Sequence, residues 1–160
     1  MTLEVVLGSI KSDGSRSPNA GSKEPGIVRK GVRVLVVDDE PYICTALSSA
    51  LSSAGYDVVT ALSGEAAIAT IRTEPVDVML IDLRIPDMRG DVVYELAAAT
   101  QPHLSSRTIF MTGDITPNAQ ALIVACKCNF LRKPFNLSDM FDAVVAVSPR
   151  LREQAQDQTA

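Results

Sequence analysis

The sequence predicts an α/β domain built on a doubly wound, five-stranded parallel sheet with five helices. Three observations carry that prediction. Short β-branched apolar runs recur along the chain, as in Val32–Val37, Val76–Ile81 and Thr108–Thr112. Each is too short for an ordinary helix and is nearly continuous in its apolar character, as strands buried on both faces require. Between the runs, apolar residues recur at helical spacing, and strict strand–helix alternation makes the sheet parallel with right-handed crossovers.

The elements follow in order. Residues Lys11 to Gly31 are Ser, Gly, Pro, Lys and Asn with almost nothing apolar before Ile27 and Val28, so residues 1–31 are expected to be a disordered arm. Its charges Lys23, Arg29 and Lys30, with Arg33 beyond, are expected to be solvated rather than a docking patch. Val32–Val37 forms strand one and ends in Asp38-Asp39-Glu40. Pro41 then opens a helix carrying Ile43, Ala46, Leu47, Ala50, Leu51 and Ala54, which Gly55 closes. Tyr56–Ala61 is strand two, and Ser63 caps a helix with Ala67, Ile68 and Ile71 inward. Strand three, Val76–Ile81, stops at Asp82; Pro86 and Gly90 lead into a helix over Asp91–Ala99. After a loop with Pro102 and His103 comes strand four, Thr108–Thr112. Pro117 starts a helix expected to turn Ala121, Leu122 and Ala125 inward. A short strand near Cys128–Leu131 precedes Arg132-Lys133-Pro134-Phe135, and the last helix starts near Leu137 and uses Met140, Phe141, Val144 and Val145. The expected domain is residues 32–148, followed by a short polar tail over 149–160.

Composition narrows the function. The 160 residues are 46% hydrophobic and 21% charged, enough for one domain with a real core. A net charge of -4 argues against direct binding to nucleic acid or to an anionic membrane. No stretch approaches the roughly 20 apolar residues of a membrane span. Met1–Ile10 has no basic leader or cleavage site, so a cytoplasmic protein is expected. The three cysteines, Cys44, Cys126 and Cys128, are expected to be reduced core residues. Cys126 and Cys128 lack the second ligand pair a zinc site needs.

The strand ends collect the chemistry. In an open parallel sheet the ligand crevice lies outside the carboxyl ends of the strands. That edge receives Asp38 and Asp39 after strand one, Asp82 after strand three, Thr112 after strand four and Lys133 after strand five. Three carboxylates against one lysine leave a deficit of about two charges, which one hard divalent cation offsets. Oxygen ligands with room for water favour Mg²⁺ over zinc. A lysine and a threonine hydroxyl are the groups that suit phosphoryl oxygens.

The acidic pair Asp38-Asp39, Ile81-Asp82-Leu83 with Pro86 and Gly90 downstream, Thr112-Gly113, and Lys133-Pro134-Phe135 stand in one order at set intervals. In these motifs the chain from about Val32 to Val147 resembles the receiver domains of two-component response regulators, which have a flavodoxin-like fold of strand order 2-1-3-4-5. The resemblance implies that Asp82 takes a phosphoryl group from a histidine kinase or a histidine phosphotransfer protein. It implies that Asp39, Asp82 and the main-chain carbonyl of Arg84 hold Mg²⁺, with Asp38 acting largely through water. Lys133 contacts the phosphoryl, and its bond to Pro134 is cis. Thr112 swings toward the phosphoryl while Phe130, at the switch-aromatic position, turns inward behind it. Two departures or variable features remain: Gly113 replaces the commoner alanine, and Arg84 and Asp114 flank the site and could pair.

The expected function is a stand-alone receiver that switches protein–protein contacts through the face of helix four, strand five and helix five, toward another protein or a second copy. It is not an enzyme beyond self-catalysed phosphoryl transfer and autodephosphorylation. A phosphotransfer intermediate or phosphate sink is the alternative. A flavin protein is disfavoured, because the first strand–helix turn is acidic and lacks a glycine-rich phosphate loop.

Overall fold

The structure is a computed structural model that describes residues 31–113 and 116–149. The expectations for the arm before Gly31, for Asp114 and for the tail from Arg150 onward lie outside the described residues. The strands are β1 (Arg33–Val37), β2 (Asp57–Ala61), β3 (Val78–Asp82), β4 (Thr108–Thr112) and β5 (Asn129–Arg132). The helices are α1 (Pro41–Ser53), α2 (Gly64–Thr73), α3 (Gly90–Thr100), α4 (Pro117–Cys126) and α5 (Leu137–Val147), with a 3₁₀ turn at Pro102–Ser105. All strand pairs are parallel, in the order β2-β1-β3-β4-β5. This is the doubly wound parallel sheet the sequence predicts, in the flavodoxin-like order that the resemblance implies.

Each central strand buries alternate residues on opposite faces. Val34, Val36, Val78, Leu80, Ile109, Met111 and Leu131 pack against Ile43, Leu47 and Leu51 of α1 and Met140 and Val144 of α5. Leu35, Val37, Met79, Ile81 and Phe110 pack against α2, α3 and α4. Doubly covered strands read as continuous apolar runs because neither face meets water. The local punctuation acts as its chemistry dictates. Pro41 occupies the first turn of α1, Ser63 Oγ accepts the Ala66 N–H at 3.0 Å, and Gly55 takes a positive φ of 93° after α1.

Three packing expectations are corrected. In α4 the buried residues are Ala119 and Ile123, with Leu122 and Cys126 half-covered, while Ala121 and Ala125 are exposed. Nearly every α4 position is apolar, so its sequence does not select a face; the way α4 seats on the sheet does. In α5, Val145 is 44% exposed although Met140 and Val144 are buried. Cys44 is a core residue, but Cys126 and Cys128 are only half-buried.

Gly90 positions the loop that follows β3. Its N–H donates to the Leu83 carbonyl at 3.0 Å, and a Cβ there would collide with the Asp82 carbonyl oxygen and lie 2.8 Å from Leu83 Cα. Backbone cannot yield as a side-chain tip can. Gly90→Ala is therefore expected to destabilise the domain by about 2 kcal/mol or more, read as a lower urea midpoint with an unchanged m-value.

Candidate functional site

The strand order reverses between β1 and β3, and the crevice at their carboxyl ends is where such sheets place ligands. The register sets Val37 beside Ile81, so Asp38 and Asp39 emerge next to Asp82. Carboxylate oxygens of Asp38, Asp39 and Asp82 all lie within 4.8 Å of one another. Lys133, two strands away, reaches in from the end of β5. Its Nζ donates to Asp38 Oδ2 at 2.7 Å and to Asp82 Oδ2 at 2.8 Å. The other oxygens of the two acids hold backbone: Glu40 N–H donates to Asp38 Oδ1 at 3.0 Å and Arg84 N–H to Asp82 Oδ1 at 2.8 Å.

Asp38, Asp82 and Lys133 are all buried, whereas Asp39 is exposed. Burial pushes the Asp38 carboxyl up, against the opposing pull of its hydrogen bonds to Lys133 and the Glu40 N–H. Burial alone would lower the Lys133 ammonium, but its hydrogen bonds to Asp38 and Asp82 outweigh that and hold it above its ordinary value. The ammonium is thus kept charged. Cys44 lies beneath the cluster, its thiol donating to the Asp38 carbonyl at 3.3 Å; burial first, then the Asp38 charge, push it up to about 11. It is an inert packing thiol.

Thr112 is buried at the end of β4, and its carbonyl accepts the Lys133 N–H at 2.8 Å, which ties the threonine to the lysine through the backbone. The Lys133–Pro134 bond is cis, as the resemblance implies. Phe130 pairs in register with Phe110 and lies on the same side of the sheet, yet its ring is 50% exposed at the sheet edge. Plain core packing is not its role in this conformation. Arg84 is exposed beside the site.

The donor set fits a hard divalent cation. It comprises three converging carboxylates, two of them in a buried crevice with a single ammonium, and no thiolate or imidazole among them.

Sequence reasoning missed Asp87. Its carboxylate accepts the Gly64 N–H at 3.0 Å and the Glu65 N–H at 3.0 Å, so it caps α2 from the β3–α3 loop. An anion at a helix N-terminus is favourable, but the helix is far away in sequence and only the fold brings the acid to it.

A parallel α/β domain with an acidic cluster and a lysine at its switch point is the architecture of phosphorylation-type signalling modules, and the known relatives agree. The chain belongs to the response regulator receiver domain family, whose profile matches residues 34–145. In Mycobacterium tuberculosis it is similar to the transcriptional regulatory protein KdpE, 39% identical over 110 residues that cover 66% of this chain and 46% of that protein. It is also similar there to the probable transcriptional regulatory protein TcrX, 35% identical over 111 residues, 68% of this chain and 46% of that one. The matched stretch thus spans less than half of either regulator. Among solved structures, a CheY-like receiver domain protein from Methanospirillum hungatei is 26% identical with a TM-score of 0.68, covering 79% of this chain and 98% of its own. Response regulator TrrA of Thermotoga maritima, solved in complex with Mg²⁺ and a beryllium fluoride, is 26% identical with a TM-score of 0.64, covering 72% and 98%.

Asp87 also sets a pH dependence. The Gly64 and Glu65 N–H groups hold its carboxyl below the usual carboxylate range. A lowered folded value means that its stabilisation is present above about pH 4 and is lost as pH falls through the lower folded value. Below about pH 4 the urea midpoint of the wild type should therefore fall more steeply than that of Asp87→Ala; parallel slopes would remove Asp87 from the capping role.

Proposed function

We propose that this receiver is a phosphorylation-driven switch that acts through its own protein-binding face, taking a phosphoryl group on Asp82 from a histidine kinase or a histidine phosphotransfer protein in the cytoplasm. The observation that carries the reading is the buried Lys133 ammonium held between Asp38 and Asp82, with Asp39 within reach. An Asp82 oxygen attacks phosphorus, the bond from phosphorus to the donor imidazole breaks, and an acyl phosphate forms on the side chain. Asp38, Asp39, Asp82 and the Arg84 carbonyl would hold Mg²⁺, which when bound offsets the charge of the incoming phosphoryl oxygens. The likeness to TrrA, solved with Mg²⁺ and a beryllium fluoride, supports that assignment.

This chain's own groups do the rest. Lys133 spends two of its three N–H donors on Asp38 and Asp82, leaving the third for a phosphoryl oxygen. The Arg84 N–H keeps one Asp82 oxygen oriented. The Thr112 hydroxyl is the donor that moves toward the phosphoryl, opening space behind it for Phe130. A half-exposed phenyl ring that turns inward buries about 100 Å², worth about 2.5 kcal/mol. That shifts a two-state population by roughly fifty- to a hundred-fold.

The output surface is α4–β5–α5. Val124 is 75% exposed, Phe130 50% and Val145 44%, an apolar set suited to another protein or a second copy of the chain rather than to nucleic acid. Among the described residues no helix is long and apolar enough to cross a membrane.

Two outcomes are expected. Acetyl phosphate should add a phosphoryl group to the wild type only with Mg²⁺ present, and Asp82→Asn should abolish that mass gain; equal labelling of the variant would falsify the assignment of Asp82. Mg²⁺ with beryllofluoride should shift amide resonances at Thr112, Phe130 and Leu131 as well as near Asp82, and Phe130→Ala should keep labelling while weakening partner binding. A response confined to the neighbours of Asp82 would instead mark a phosphotransfer intermediate or phosphate sink.

A further inference from the structure

A second cluster of reactive side chains lies where α4 hands over to β5. α4 ends at Cys126, Lys127 caps it, and Cys128 immediately precedes β5. Lys127 has a left-handed backbone, with φ 53° and ψ 26°, a conformation that costs a non-glycine residue roughly 1–2 kcal/mol. Such helical curvature, of either hand, sets the flanking Cα atoms about 5.4 Å apart by helix geometry. Disulfides span roughly 4.4–6.8 Å between Cα atoms, so the turn has the right reach.

The Cys128 thiol and the Tyr94 hydroxyl meet at one backbone carbonyl. The Tyr94 hydroxyl donates to the Ser105 carbonyl at 3.0 Å. The Cys128 sulfur is 3.7 Å from that same carbonyl and 3.5 Å from the Cys126 carbonyl. Burial first, then Cys128 and Cys126, push the Tyr94 hydroxyl up to about 12. Burial, Cys128, Asp91 and Glu95 all push Cys126 up, and burial pushes Cys128 up, so the resting pair is a dithiol. Both residues are half-buried, which leaves small molecules access. Among the described residues the group of three or more ligand-type side chains with converging atoms is the acidic cluster, so the thiols do not belong to a metal site of that kind.

We propose that Cys126 and Cys128 form a reversible intramolecular disulfide when the protein meets a peroxide, making the α4–β5 turn a redox-modified site. One thiol loses its proton and attacks a peroxide oxygen as the thiolate, the O–O bond breaks, and the released hydroxide takes up that proton and leaves as water, giving a sulfenic acid. The second thiol then gives up its proton and attacks that sulfur, the S–O bond breaks, and the departing hydroxide takes the proton and leaves as a second water. Two thiols lose two electrons and two protons, and hydrogen peroxide becomes two waters. The ring closed over Lys127 is small, and strained disulfides are readily reduced, so the modification reverses. It draws the Cys128 sulfur from the Ser105 carbonyl it shares with Tyr94, whose ring packs on Phe110 at 5.6 Å between centroids, and it restrains the turn two residues ahead of Phe130. This inference does not rest on phosphorylation of Asp82.

The test is intact-mass and peptide analysis of the full chain after hydrogen peroxide. The expected result is a loss of about 2 Da, restored by dithiothreitol and mapped to the link between Cys126 and Cys128. Cys44→Ser should retain the loss, whereas Cys126→Ser and Cys128→Ser should each abolish it. Amide resonances of Tyr94 and Lys127 should move on oxidation and return on reduction. Mapping on the wild type needs no variant to fold. Thiols left unreacted, thiols that gain oxygen without the mass loss, or a link that involves Cys44 or joins two chains would each overturn the proposal.

Discussion

The constraint on which the site depends is the salt bridge of Lys133 to Asp38 and Asp82. Three residues from the ends of three strands would repel or desolvate at ruinous cost were the ammonium not between the two buried carboxylates. The lysine can reach because β5 is held to β4 in parallel register and its own N–H is bound to the Thr112 carbonyl. Sheet order, strand length and charge balance are therefore one problem. Any change that displaces the end of β5 moves the only ammonium that touches the cluster among the described residues.

The same site is braced from below and from the side by backbone. Each buried acid spends one oxygen on an N–H two residues later, Asp38 on Glu40 and Asp82 on Arg84, so both carboxylates are oriented before any ligand arrives. Preorganised dipoles of this kind reduce the reorganisation that a developing charge would otherwise demand. The loop beyond Asp82 is then pinned twice, by Gly90 folding back on Leu83 and by Asp87 clamping the start of α2. The Arg84 carbonyl sits on this pinned loop.

On the other side of β4 the packing is looser. α4 buries Ala119 and Ile123 but leaves Ala121, Val124 and Ala125 in solvent, and β5 exposes half of Phe130. An element with few buried anchors can shift at smaller cost than one held by a full apolar face. A lightly anchored helix beside the acidic crevice is what the proposed switch would act on.

The relation between sequence and structure divides along the same line. Five strands and five helices were legible because doubly covered strands are continuous apolar runs and because Pro41, Ser63, Pro117 and Gly55 punctuate them by local chemistry. The gathering of Asp38, Asp39, Asp82 and Lys133 was legible too, since parallel topology sends every strand's carboxyl end to one edge. What the sequence could not decide was orientation and long-range pairing. In α4 an apolar residue at almost every position leaves no stripe, so only packing chose Ile123 over Ala121 and Ala125. Asp87 found α2, and Cys128 and Tyr94 found one Ser105 carbonyl, across intervals that no local pattern encodes. Local propensity and periodicity are properties of the chain, whereas a cap or a contact between distant elements exists only once burial of the core has brought them together.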